Sequence, residues 1–241
     1  MPWELFEPAA PRYGDWYATG RGRRVNEAER GLLTWLLAFF PAARSVLEVG
    51  CGTGQFAEWL AVRSLKVMGL DRSPAMLREM RARRPDISAV LGDAHRLPYR
   101  DEAVDLVVFV TALEFLEGPE VALIEAARVA RQGMILVTLN RWSLGALSRR
   151  WGPQARRPLL GQTRDCSALA LQRTLWQGAG GRLRAIHWTS TLFPACLWKL
   201  CAPIPVGDVI GMAALLAPSA DSAKGEFRLP PRVAPADRTA V

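Results

Sequence analysis

The chain has 241 residues, half of them apolar, and a formal net charge of +8, which excludes an extended disordered polypeptide and leaves room for one large core with an elaboration. Only three of its 31 basic residues are Lys, and the Arg residues are spread over the whole chain, so the charge does not mark a stripe for a polyanion. The four Cys form no C-x-x-C pair and have no His at metal-ligand spacing, which argues against a zinc site or disulfide scaffold. They read as thiols of a reducing, cytoplasmic compartment, and the N-terminus shows no signal-peptide pattern.

Residues 1–24 are rich in Pro, Gly and aromatic side chains and read as an N-terminal arm. Asn26, three residues before Glu29, resembles a capping box and predicts a helix ending at Pro41. Ser45 to Val49 is an apolar strand running into Gly50, Gly52 and Gly54, and a helix follows to about Ser64. Lys66 to Asp71 is a second strand. Ser73 and Pro74 are a cap and a first-turn proline that open the next helix. Further strands are expected at 87–91, 104–110 and 134–139, with a helix after Pro119. Strands of about six residues alternating with helices predict an α/β, doubly wound, parallel sheet. This core spans 25–140. Beyond it come a basic, Trp-containing connection, a helix at 166–178 and a sixth strand at 182–188. Residues 141–229 are expected to complete the sheet and carry an insertion on the substrate side, and 230–241 read as a disordered tail. The apolar stretch 192–217 is broken by Pro194, Pro203 and Pro205, which argues against a membrane span.

The chemistry is concentrated at the carboxyl ends of the strands. Gly50, Gly52 and Gly54 are spaced G-x-G-x-G, and Gln55 stands where a dinucleotide fold wants its third glycine. Glu48 in the strand before them repels a phosphate and suits a ligand carrying an ammonium or sulfonium charge. Asp71 lies where a carboxylate accepts from both hydroxyls of an adenosine ribose. Asp93 can accept from an adenine amine while the N–H of Ala94 reads a ring nitrogen. Three acids in register with one glycine turn point to a nucleoside-containing cofactor.

Glu48-Val49-Gly50-Cys51-Gly52-Thr53-Gly54, Gly69 to Leu77 and Gly92-Asp93-Ala94-His95-Arg96-Leu97-Pro98-Tyr99 together resemble the motifs of class I S-adenosylmethionine-dependent methyltransferases, in particular the type 11 family. Tyr13-x-x-Trp16-Tyr17-x-Thr19-x-x-Gly22 resembles an arm common in that family. The resemblance implies a mostly parallel seven-stranded sheet and S-adenosyl-L-methionine as cofactor. It places the methionine part on Gly50, Gly52 and Gly54 near Glu48, the ribose on Asp71, and the adenine flanked by Arg72 or Met76 with its edge on Asp93 and Ala94. It gives the Thr111 carbonyl to the methionine ammonium, and Tyr17 closes over the cofactor. The seventh, antiparallel strand that it implies has its nearest, poor match at Gly225 to Leu229. No metal is implied.

Methyl transfer needs alignment more than acid–base help, since positioning can supply ~7–11 kcal/mol. Glu114, where relatives often carry His, and His187 are the candidate bases, while His95 reads as a surface or capping residue. The expected acceptor is a small, hydrophobic molecule under an apolar lid built by 141–221, with Trp142, Trp151, Phe193 and Trp198. Two alternatives are a nucleic-acid methyltransferase, for which Asn140-Arg141-Trp142-Ser143 lacks the base-flipping N-P-P-Y pattern, and a non-catalytic or membrane-associated module using Leu192 to Leu216 in peripheral membrane contact.

Overall fold

In the computed structural model, residues 2–151, 166–192 and 200–218 are described. Seven strands form one sheet: β1 (Ser45–Val49), β2 (Lys66–Asp71), β3 (Ser88–Leu91), β4 (Val104–Val110), β5 (Ala130–Leu139), β6 (Leu183–Thr191) and β7 (Val209–Leu216). Their spatial order is β3-β2-β1-β4-β5-β7-β6. The first five run parallel, and β7 is antiparallel to both β5 and β6. The order reverses between β1 and β4, which opens a crevice at their carboxyl ends, the usual ligand position in open α/β sheets.

The helices are α1 (Ala10–Tyr13), α2 (Asp15–Ala18), α3 (Gly20–Leu37), α4 (Gln55–Ala61), α5 (Pro74–Arg83), α6 (Pro119–Val129), α7 (Leu144–Trp151) and α8 (Ala168–Gly178). One face of the sheet packs Val46, Leu106, Val108 and Ile135 against Leu32, Leu33 and Leu36 of α3, Phe56 and Leu60 of α4 and Leu77 of α5. The other packs Leu47, Val107 and Leu136 against Leu123 and Ala126 of α6 and Leu171 and Leu175 of α8. Because both faces are covered, β4 is buried at every position and reads as a continuous apolar run.

Three expectations are corrected. The seventh strand is Val209–Leu216 and is buried throughout; the candidate Gly225 to Leu229 lies outside the described residues. Residues 209–216 of the apolar stretch are therefore core of the sheet, neither lid nor membrane surface, because the uncharged run after Asp208 can take a position covered on both faces. Second, α3 begins at Gly20, with Thr19 as its cap accepting from the Gly22 N–H (3.0 Å). The boundary drawn at residue 24 falls inside this helix, and Asn26 and Glu29 are interior to it. A side chain at Gly22 would lie 1.9 Å from the Trp16 carbonyl oxygen, so glycine lets the arm fold back against the helix start. Third, β5 begins at Ala130, four residues before the expected Met134. Among the described residues no helix is long and apolar enough to cross a membrane.

Candidate functional site

At the carboxyl ends of β1, β2 and β4 lies a cavity of about 380 Å³. Its floor is the turn after β1, where Gly50, Gly52 and Gly54 have φ of 73°, 54° and 80°. This left-handed backbone is open to glycine at little cost. A Cβ on Gly50 would also stand 2.5 Å from the Cβ of Ala112. Gly50→Ala is expected to destabilise the fold by ~2–3 kcal/mol in a denaturant melt, from backbone strain plus overpacking.

Ten of the residues singled out in the sequence line this one cavity: Tyr17, Glu48, Gly50, Gly52, Asp71, Arg72, Met76, Asp93, Ala94 and Thr111. Gly54 is not in the wall; it caps α4 and packs beneath it against Met80. Asp71 ties the floor together, its carboxylate accepting from the Gly52 N–H (2.8 Å) and the Ser73 N–H (2.9 Å). Burial pushes its carboxyl up, and these backbone donors pull it back. Glu48 is 1% exposed, and its Oε2 has no partner among the described residues. Burial, reinforced by the Asp71 charge, raises its carboxyl well above the usual range. An approaching cation would favour the ionised form and relieve that cost. Thr111, beside the end of β4, holds φ at 47°, a conformation sparsely populated by non-glycine residues and frequent at ligand sites.

The adenine-side acid is more engaged than the sequence indicates. Asp93 accepts from the His95 N–H (3.0 Å), lies 2.7 Å from the His95 Nδ1, and pairs with Arg72 at 3.3 Å. Burial opposes its ionisation, but the His95 and Arg72 contacts outweigh it and lower its pKa. His95 is no surface residue: its ring is held between Asp93 and the Glu117 carbonyl (2.6 Å) and lines the cavity.

Neither candidate base reaches the cavity wall. Glu114 is fully buried, accepting from the Thr138 hydroxyl (3.1 Å) and the Leu139 N–H (3.3 Å). Glu29 of α3 is close enough to feel its charge; burial first, then Glu114, pushes Glu29 up to about 8. His187 sits on β6, stacked on Phe39 with centroids 4.2 Å apart, and takes no part in the cavity. Of the expected lid aromatics, Trp142 is 65% exposed and outside the cavity wall. Phe193, Trp198 and the side chain of Trp151 lie outside the described residues. Asn140 is buried and structural, donating to the carbonyls of Pro205 (3.0 Å) and Gly207 (2.7 Å) and accepting from the Trp142 N–H (3.1 Å). It is therefore engaged by the fold.

Sequence reasoning missed Trp3, Phe6, Thr53 and Phe115 in the wall, and passed over Tyr13 as arm packing. The arm lies across the cavity mouth through edge contacts of Phe6 with Phe115 (4.9 Å) and Tyr13 (6.1 Å). Only the aromatic richness of residues 1–17 signals this. Burial raises the phenols of Tyr13 and Tyr17, so both stay protonated and serve as walls and donors. Among the described residues no group of three or more His, Cys, Asp or Glu could hold a metal.

The residues fit an adenosyl cofactor with a positive centre. Glycine backbone forms the floor, a buried carboxylate with one unpartnered oxygen stands at one end, and a backbone-anchored carboxylate stands at the next strand. The comparisons agree. A family model described as "Methyltransferase domain" matches residues 47–138. A demethylmenaquinone methyltransferase of Renibacterium salmoninarum is 37% identical over 136 residues, 55% of each chain. A malonyl-[acyl-carrier protein] O-methyltransferase of Methylococcus capsulatus is 33% identical over 133 residues, 52% of this chain and 48% of the relative. The chain thus spans about half the length of the curated relatives it matches. The crystal structure of a Thermotoga maritima S-adenosylmethionine-dependent methyltransferase, described as a possible histamine N-methyltransferase, superposes with a TM-score of 0.72. It is 25% identical, and the match covers 89% of this chain and 99% of that one. Residues 47–138 thus match a methyltransferase domain, and the seven-stranded sheet around them is the fold of the S-adenosylmethionine-dependent methyltransferase structure it superposes on.

Proposed function

We propose that the chain is a methyltransferase that uses S-adenosyl-L-methionine to methylate a small, mainly hydrophobic acceptor. The observation carrying this reading is the convergence in one cavity of the glycine turn, the buried Glu48 carboxylate and the anchored Asp71. Bound there, the cofactor supplies a methyl group already activated on a sulfonium sulfur. The backbone of Gly50 and Gly52 and the Asp71 carboxylate would hold and orient it. Glu48 would balance its positive charge. Arg72 and Met76 would flank the base, and the Ala94 N–H would read its edge. Tyr17, Phe6 and Phe115 would keep water from the reacting end, where alignment supplies the larger part of the acceleration.

The acceptor follows from the walls more than from the relatives, whose names give demethylmenaquinone, malonyl-acyl-carrier protein and histamine. Aromatic Phe6, Tyr13, Tyr17 and Phe115 favour a flat or apolar molecule.

Calorimetry with S-adenosylmethionine tests the reading and its charge logic together. Burial raises Glu48 in the free chain and a neighbouring cation favours its ionised form, so below that raised pKa binding releases a proton and affinity rises with pH, by at most about tenfold per unit, until the raised pKa is passed. The enthalpy should therefore differ between buffers of different ionisation heat, and the difference should vanish in Glu48→Gln. Absence of any S-adenosylmethionine binding by the wild-type chain refutes the reading.

A further inference from the structure

The reading above leaves His95 without a role, yet its ring joins two loops that border the cavity from different strands. One loop, 92–97 after β3, carries the adenine-side Asp93 and Ala94. The other, 111–118 after β4, brings Phe115, Leu116 and Glu117 into the wall. The His95 Nδ1 lies 2.7 Å from the Asp93 carboxylate, and its Nε2 lies 2.6 Å from the Glu117 carbonyl oxygen. Asp93 is held ionised by its neighbours and a carbonyl carries no proton, so both partners only accept. An imidazole makes both contacts by donating from each of its nitrogens.

The two loops are held unequally. Loop 92–97 is fastened at both ends and within. The Gly92 N–H donates to the Asp71 carbonyl (3.0 Å), the Arg96 N–H to the Asp93 carbonyl (3.1 Å), and the Leu97 N–H to the Glu125 carboxylate of α6 (2.9 Å). Loop 111–118 starts firmly, with the Thr111 N–H on the Val137 carbonyl (2.7 Å) and the buried Glu114 on Thr138 and Leu139. Its later backbone is held by a local turn, Phe115 N–H to the Ala112 carbonyl and Leu116 N–H to the Leu113 carbonyl, both 3.1 Å. It then reverses at Gly118, whose φ is 72°. The Glu117 carbonyl stands at that reversal, and His95 reaches it from the firmer loop.

We propose that His95 is a positioning residue that couples the adenine pocket to the wall facing the methyl acceptor. An adenine amine donating to Asp93 fixes the carboxylate, the imidazole follows, and the Glu117 carbonyl is drawn into place with Phe115 and Leu116. This deepens the reading of the cavity given above and rests on it. The carboxylate has room for the ligand: Oδ1 takes both His95 donors and Oδ2 takes Arg72 at 3.3 Å, which leaves one of roughly four acceptor positions. Coupling is reciprocal, so a disturbed bridge also weakens the adenine contact.

The test uses the full chain with two probes, S-adenosylhomocysteine and adenosine, by calorimetry and by hydrogen exchange of residues 112–118 read by mass spectrometry. Adenosine lacks the amino-acid part, so protection that it confers on the Phe115 and Leu116 N–H groups reports a signal starting at the base. In the wild type both probes should slow exchange there. His95→Phe keeps a ring and removes both donors. It should weaken S-adenosylhomocysteine binding ~5–10-fold, speed exchange of 112–118 in the free chain, and abolish the protection given by saturating adenosine. His95→Gln keeps an amide donor and should recover part of each effect, which a packing role alone would not produce; it also serves as the test if His95→Phe unfolds. Adenosine that binds the wild type without protecting 112–118, or that protects it equally in wild type and His95→Phe, overturns the inference and leaves the cavity reading intact. A wild-type chain that binds neither probe removes both.

Discussion

Asp71→Ala is expected to weaken S-adenosylmethionine binding at least 100-fold in calorimetry while leaving the melting temperature within a few degrees of wild type. The carboxylate already accepts from the Gly52 and Ser73 N–H groups, and each oxygen keeps acceptor capacity directed at the cavity. Two charge-assisted hydrogen bonds to ribose hydroxyls contribute ~1.5–3 kcal/mol each, and every 1.4 kcal/mol is a factor of about ten. The variant also releases the Gly52 N–H and loosens the floor of the site. Stability should change little, because burial makes the charged form of Asp71 unfavourable in the free protein and its removal offsets the lost turn contacts. Asp71→Asn keeps an acceptor without the charge and should fall between. Wild-type affinity in Asp71→Ala would show that the cofactor is not held there.

Asp105→Ala should have the opposite profile, a loss of ~3–5 kcal/mol of stability with cofactor affinity unchanged. Asp105 stands near the amino end of β4, at the edge of the sheet away from the cavity. It accepts from the N–H groups of Arg44 (2.9 Å) and Ser45 (3.0 Å) and the Ser45 hydroxyl (2.9 Å), and pairs with Arg131. Its own N–H donates back to the Ser45 hydroxyl at 2.9 Å. This network pins the start of β1 to β4, and removing the buried carboxylate leaves the Arg44 and Ser45 N–H groups and the Ser45 hydroxyl without their acceptor. Burial opposes ionisation of Asp105, but these donors outweigh it and hold the carboxyl below its ordinary value. With a depressed folded-state pKa, its contribution is full above the carboxylate range and lost as pH falls through that lowered pKa. Acid unfolding of Asp105→Ala should accordingly be less steep below about pH 4. A denaturant melt showing less than 1 kcal/mol of loss would refute the account.

Much of the first 140 residues was legible because its signals are local. The strand at 45–49, its glycine turn and the acids at 71 and 93 lie in one short stretch, where the parallel β–α–β rhythm forces strand ends onto one edge of the sheet. Those ends meet in the observed cavity with ten of the residues expected of it. The helix at 20–37 was misread at its start because Asn26 and Glu29 have the spacing of a capping box, whereas Thr19 caps the helix and Glu29 is buried near Glu114. Asp93 lines the cavity, but its pairing with Arg72 and His95 depends on side-chain proximity that spacing does not encode.

The division between local and long-range information is sharpest in the two halves of the site. By itself the sequence determined the glycine floor, its acidic neighbours and the parallel core, because short-range geometry and strand periodicity dictate them. Only the tertiary structure decided that Val209–Leu216 enters the sheet between β5 and β6, and that Trp3 and Phe6 close the cavity from the other side. Both are contacts between segments far apart in the chain, chosen by which buried surface remains to be covered, and no local pattern specifies that choice.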